Sequence, residues 1–225
     1  MLTIEQIQAL KTVDTPTICN AIETFKVRGR VDGFMGLTIR CLLPELGVMA
    51  GYAVTLTVDS TTPGLPQEPR IWQEWMEAMR DSPKPAVLVM QDVGPQPRKS
   101  AHLGEVMGTL AKRLGVVGLV TDGGLRDILE VKALGLQCFA AGLTPAHGNP
   151  RLLQVNTPVT LDGVPVRPGD LLHGDANGVT TIPLEVAGSI LQAVEAIRRD
   201  EGETMAYIKS PDFTIEGFMA RRFSH

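Results

Sequence analysis

The chain has no pair of cysteines at CxxC spacing. Its three cysteines, Cys19, Cys41 and Cys138, are scattered and odd in number. That excludes a disulfide framework and a thiolate metal knot, and it reads as reduced core thiols in a cytoplasmic protein. An excess of basic charge is also missing. Lys and Arg number 21 against 25 Asp and Glu, for a net charge of -4, which argues against a nucleic-acid partner. One local arginine can still outweigh that global sign for a small anionic substrate. No apolar run approaches the roughly 20 residues of a membrane-spanning helix, so no membrane association is expected. The start, "MLTIEQIQALKTVDT", carries acidic residues early and does not read as a signal peptide. None of the four histidines pairs with another at metal-ligand spacing. No GxxxxGK phosphate loop, Ser-His-Asp or Cys-His arrangement is visible. Internal repeats and low-complexity linkers are absent too.

What is present is a chain of 225 residues, 44% hydrophobic, enough for one domain with a core that needs no staples. Ile4, Ile7 and Leu10 fall at helical spacing behind Thr3 as a cap. "DTPTICNAIETF" predicts a second helix, capped by Thr15, with Ile18, Ala21, Ile22 and Phe25 on one face. Residues 47–58 read as β with partial alternation, residues 59–69 as a loop. "RIWQEWMEAMRD" reads as a helix with Ile71, Trp75, Met76 and Met79 inward. Residues 85–142 read strand, helix, strand, helix, strand, with continuous apolar strands as expected in a parallel sheet. Within it "HLGEVMGTLAKRLG" is a helix facing Leu103, Met107, Leu110 and Leu114 inward. "LRDILEVKALG" is a helix ended by Gly135. Beyond it, Asp-Gly, Pro-Gly and Asn-Gly turns separate short segments and suggest an antiparallel layer. Helices follow from Pro183, and the tail from residue 210 looks less regular. The fold class is α/β, with mixed parallel and antiparallel β layers covered by helices.

Ligands of open α/β sheets gather at the carboxyl ends of parallel strands. There stands "TDGGLRD", residues 121–127. Its two glycines allow a sharp turn beside a ligand. Arg126 suits a carboxylate, and Asp127 suits a hard divalent cation. Both are expected in the first turn of the following helix, with Glu130 on the face of Asp127 and Asp122 in support. The same residues also fit a simpler role, as acidic groups at a helix start paired with an arginine. "HLGEVMG", residues 102–108, offers the free amides of a helix start for an anion, with Glu105 open to the same two readings. His102 and His147 read as polar loop residues, His173 as a strand residue, Asp175 and Asn177 as turn formers.

Taken together, "GEVMGTLAKRLGVVGLVTDGGLRD", "TPTICNAIE", "GVMAGYAVTL" and "GVPVRPGDLLHGDANGVTTIP" resemble the family of the 4-hydroxy-4-methyl-2-oxoglutarate aldolases and the RraA-like regulators of ribonuclease activity. The resemblance implies a swivelling β/β/α fold and a homotrimer or dimer of trimers with sites between subunits. It implies a divalent metal, Mg2+ or Mn2+, on Asp127 and a 2-oxo acid on Arg126. Glu130 completes the RDxxE/D pattern. The amides of Val106 and Met107 hold the substrate carboxylate, and Glu105 orders water on the metal. A further acidic residue is expected from a neighbouring subunit's C-terminal helix, among Glu195, Asp200 and Glu201. The implied activity is aldol cleavage to pyruvate through an enolate, with oxaloacetate decarboxylation on the side. No lysine stands in the motif, which disfavours a Schiff base. Two other functions share the pattern: a non-catalytic oligomeric regulator of a ribonuclease, and a lyase or isomerase of sugar-derived acids. The loop "PQPRKSAHL", the "DANG" turn and residues 68–79 depart from the family's usual form.

Overall fold

The computed structural model describes residues 1–64 and 66–223. Residue 65 of the expected 59–69 loop and the last two residues of the tail lie outside the described residues. In chain order the elements are α1 (Ile4–Leu10), α2 (Thr15–Thr24), β1 (Arg40–Cys41), β2 (Met49–Asp59), α3 (Pro69–Asp81), β3 (Ala86–Asp92), β4 (Ala101–Leu103), α4 (Glu105–Arg113), β5 (Val116–Thr121), β6 (Gly124–Leu125), α5 (Ile128–Leu134), β7 (Gln137–Ala140) and β8 (Gly142–Leu143). They continue with β9 (Arg151–Val155), β10 (Val159–Leu161), β11 (Val164–Val166), β12 (Leu171–Asp175), β13 (Gly178–Ile182), α6 (Leu184–Ala187), α7 (Ile190–Lys209) and α8 (Ile215–Phe223).

The main sheet runs β1-β7-β5-β3-β2-β12-β13, with β9 also on β2. Its centre, β7-β5-β3-β2, is parallel, as the apolar runs predict. β12 and β9 share one edge of β2, each antiparallel to it. Met49–Tyr52 pair with β12 and Leu56–Asp59 with β9. β2 is buried along its whole length, and both of its edges are paired. The late turn-rich segment divides: β10 and β11 form a hairpin of their own, while β12 and β13 join the main sheet.

The crossovers from β3 to β5 and from β5 to β7 each contain an extra strand, whereas β2 to β3 runs through α3 alone. β3 is followed by β4 and then α4, β5 by β6 and then α5, β7 by β8, and β4, β6 and β8 form a small parallel sheet. The repeating unit is thus strand, strand, helix, the β/β/α arrangement expected from the resemblance. It sets a second sheet at the carboxyl ends of the first. The sequence reads most of these positions as loop or helix, because two or three residues carry no period.

Alternation splits the core. Val54, Leu56, Val58, Leu88 and Met90 face Trp75, Met79, Ala111 and Val131 of α3, α4 and α5. Val87, Val89 and Val120 face the hairpin through Val159, Leu161 and Val166. Tyr52, Leu171 and Ile182 meet Ile7, Ile18, Ile22 and Ile190 of α1, α2 and α7. Burial of each large apolar side chain contributes roughly 1.5–3 kcal/mol of transfer free energy. α1 carries the expected Thr3 cap, reinforced by Gln6 as a capping box. For α2 the cap is Asp14, whose carboxylate accepts from Thr17 N at 2.9 Å, and Thr15 is the first helical residue. In α4 the buried residues are Gly108 and Ala111, with Met107 and Leu114 partly buried beside them. The tail is helical, as α8.

Candidate functional site

α4 starts at Glu105 immediately after β4, and Gly104 is its N-cap residue. The first intrahelical bond runs from Gly108 N to Gly104 O at 2.8 Å. The amides of Glu105, Val106 and Met107 therefore precede the helix's own ladder. β6 runs alongside, and Arg126 N donates to Leu103 O at 3.0 Å. This brings Arg126 and Asp127 against Gly104. A Cβ there would collide with Asp127 Oδ2 and lie 2.9 Å from Arg126 Nε, so the close approach requires glycine.

Asp127 lies outside the helix that the sequence assigned it. α5 starts at Ile128, and Asp127 is its N-cap residue in the left-handed region, φ 52° and ψ 47°. Aspartate tolerates that region better than most residues, at some cost. The conformation turns the carboxylate away from its own helix and toward α4. Asp127 Oδ2 accepts from Glu105 N at 3.0 Å and lies 3.5 Å from Arg126 Nε. The two sequence readings of this aspartate are thus compatible: it caps a helix, and the helix is the neighbouring one. Glu105, Val106 and Asp127 are exposed, and Met107 and Arg126 are half-buried. Glu130 is an exposed residue of α5's first turn.

Asp122, itself partly buried, joins a second group whose other members are buried. Its Oδ1 accepts from Asp92 N at 2.9 Å, tying the ends of β3 and β5. Asp92 Oδ2 lies 3.1 Å from His102 Nε2 and accepts from Ser60 Oγ. His102 Nδ1 is 2.6 Å from Thr121 Oγ1. Burial pushes the Asp122 carboxyl above its ordinary value, and the charge of Asp92 adds to this. Burial acts on Asp92 in the same direction, but donation from His102, Ser60 and Gly94 outweighs it and holds that carboxyl low. The sequence reads His102 as a polar loop residue. It is a buried strand residue whose side chain is 1% exposed. Its ring lies against Gly123, where any Cβ would overlap it. The Gly-Gly pair of "TDGGLRD" thus makes room for an imidazole as well as for a turn. His147 is exposed. His173 is buried in β12 between Thr15 Oγ1 and Leu10 O and holds the N-terminal helices to the sheet. Asp175 accepts from Asn177 N and Thr15 N, as a turn former does.

Between the site and α3 lies a cavity of about 160 Å³. Gly104, Met107 and Arg126 line one side of it, Trp72 and Trp75 another. Nothing in the sequence pointed to it, since the two tryptophans read simply as helix residues. Glu195, Asp200 and Glu201 are all exposed on α7.

A guanidinium, a carboxylate and unpaired helix-start amides, grouped on a β/β/α scaffold, define a site for a small anion beside a hard cation. Among the described residues no three His, Cys, Asp or Glu side chains converge on a common point. A donor set of one aspartate completed by water is nevertheless one that Mg2+ accepts. The model of the RraA-like family (Aldolase/RraA) matches residues 15–181, and the chain belongs to that family. A protein of Halalkalibacterium halodurans named "Putative 4-hydroxy-4-methyl-2-oxoglutarate aldolase" is 37% identical over 147 residues, 65% of this chain and 69% of its own length. The uncharacterized protein MJ0644 of Methanocaldococcus jannaschii is 36% identical over 51% of this chain and 55% of its own. Among solved structures, an uncharacterized protein of Pseudomonas syringae superposes with a TM-score of 0.76 at 20% identity, covering 100% of this chain and 95% of its own. Streptomyces coelicolor RraAS2, described as an unusual member of the RNase ES inhibitor RraA protein family, gives 0.70 at 24%, covering 91% and 97%. These superpositions establish the fold. No helix among the described residues is long and apolar enough to cross a membrane.

Proposed function

We propose that the protein is a divalent-metal-dependent lyase that cleaves a 4-hydroxy-2-oxo acid to pyruvate. The observation that carries this reading is the convergence of Arg126 and Asp127 on the start of α4 at Gly104. Relatives named as aldolases add support. The amides of Val106 and Met107 take the substrate carboxylate, since an anion is favoured at a helix N-terminus. Arg126 faces the 2-oxo oxygen and stabilises the negative charge that develops there. The C3–C4 bond breaks, and its electron pair passes to C3 and onto that oxygen as an enolate. The 4-hydroxyl proton leaves to a water held by Glu105, and C4 becomes a carbonyl. Protonation at C3 then yields pyruvate. Asp127 would hold Mg2+ or Mn2+, which supplies Lewis acidity at the same oxygen.

Oxaloacetate decarboxylation needs the same enolate, so it is the first assay. Pyruvate release that depends on Mg2+ or Mn2+ and falls at least about 100-fold in Arg126→Ala and Asp127→Ala is the expected result. A folded protein inert toward oxaloacetate with every divalent metal tried would sink the lyase reading and leave a regulatory binding protein. We further propose a homotrimer or dimer of trimers in which one of Glu195, Asp200 and Glu201 reaches a neighbouring site.

A further inference from the structure

We propose that the cavity beside Arg126 receives the tail of the substrate, and that this tail is an apolar ring, not a second carboxylate. The inference rests on the lyase reading and names its substrate class: 4-hydroxy-2-oxo acids with an aromatic substituent at C4.

The walls carry the argument. Val58, Met90, Leu103 and Leu152 line the cavity with the two tryptophans, and Arg126 is the sole lysine, arginine, aspartate or glutamate among its lining residues. Arg126 is already committed to the 2-oxo acid end. Of the polar side chains in the wall besides Arg126, His147 is exposed, with Nδ1 2.9 Å from Gly148 O, and the others are engaged. Ser60 donates to Asp92, and both ring nitrogens of His102 are taken up by Asp92 and Thr121. The carboxylate of Asp92, fully buried behind His102, repels a second anion entering from the cavity. A carboxylate tail would lose its water there and find no lysine or second arginine. The volume of about 160 Å³ is close to the roughly 150 Å³ of apolar cavities known to admit benzene.

The two indoles give such a tail a ring surface to lie against. Trp72 packs edge-on to Trp75 with ring centroids 5.7 Å apart, and its Nε1 is held by Gln67 Oε1 at 2.9 Å.

The chain has two tryptophans in all, both on this wall, so intrinsic fluorescence reads the cavity directly. The test titrates full-length protein with Mg2+ against three non-cleavable acids of equal backbone: 2-oxo-4-phenylbutanoate, 2-oxo-4-(4-hydroxyphenyl)butanoate and 2-oxoglutarate. The aryl acids are expected to change tryptophan emission saturably and to bind at least about 10-fold more tightly than 2-oxoglutarate. Equal or tighter binding of 2-oxoglutarate would overturn the proposal, as would aryl binding that leaves emission unchanged. Oxaloacetate turnover on the same preparation separates the two ideas. Turnover without aryl preference removes the tail assignment alone, and aryl binding without turnover removes the lyase chemistry alone.

Discussion

At Asp127 one carboxylate caps α4 and stands ready for a metal, and substitution can separate the two roles. Asp127→Asn keeps an acceptor for Glu105 N and a residue tolerant of the left-handed region. It is expected to hold the melting temperature within a few degrees while abolishing metal-dependent pyruvate release. Asp127→Ala loses the cap as well, at about 1 kcal/mol, so thermal melts of the two variants should differ where their activities do not. Gly104→Ala pushes a methyl into Asp127 and Arg126, and the expected result is a loss of activity larger than its loss of stability. Asp122 yields a pH-dependent case. Its carboxyl is raised above the ordinary value by burial, with Asp92 adding. A raised carboxyl favours the folded state while protonated, and that contribution is lost as pH rises through the folded value. At neutral pH the ionised Asp122 therefore weakens the fold. Asp122→Asn retains the acceptor for Asp92 N and should melt at a higher temperature than the parent at pH 7. The gain should vanish as pH falls below the usual carboxylate range, about 3.9. Equal melting temperatures at pH 7 would show that Asp122 carries no such penalty.

The elements that sequence alone locates are those long enough to show a period. α3, β3, β5 and α5 stand where their apolar spacing puts them, because seven or more residues, or an uninterrupted buried run, leave a pattern that short segments cannot. The strands of the second sheet are two or three residues long, and their pairing is a tertiary event with no local signal. That sheet is what buries His102. The Arg126 and Asp127 pair was legible from residue chemistry and motif spacing. The buried network was not, since Ser60, Asp92, His102 and Thr121 meet across four separate segments. Its strength can be measured by a double-mutant cycle. His102→Leu leaves the fully buried Asp92 without its main partner, a change worth roughly 3–5 kcal/mol by analogy with other broken buried pairs. The double variant with Asp92→Asn is expected to recover a substantial part of that loss in urea denaturation.

For the molecule as a whole, the proposed assembly can be probed at exposed apolar residues. Val106, Leu129 and Leu143, on α4, α5 and β8, are 75%, 73% and 59% exposed, and an interface would cover such residues. Light scattering after size exclusion is expected to give the mass of three or six copies, and Leu129→Glu to shift it toward one. A parent protein that runs as a monomer would remove the assembly from the proposal. The two-sided use of β2 bears on how this chain emerges from the ribosome. Its partner on one edge, β3, follows within a few dozen residues, but both partners on the other edge, β9 and β12, come from beyond residue 150. Until the last third of the chain has been made, eleven consecutive core residues present an open row of amides and carbonyls to any neighbouring chain. Synthesis halted before β9 should therefore release a species that aggregates or is held by chaperones.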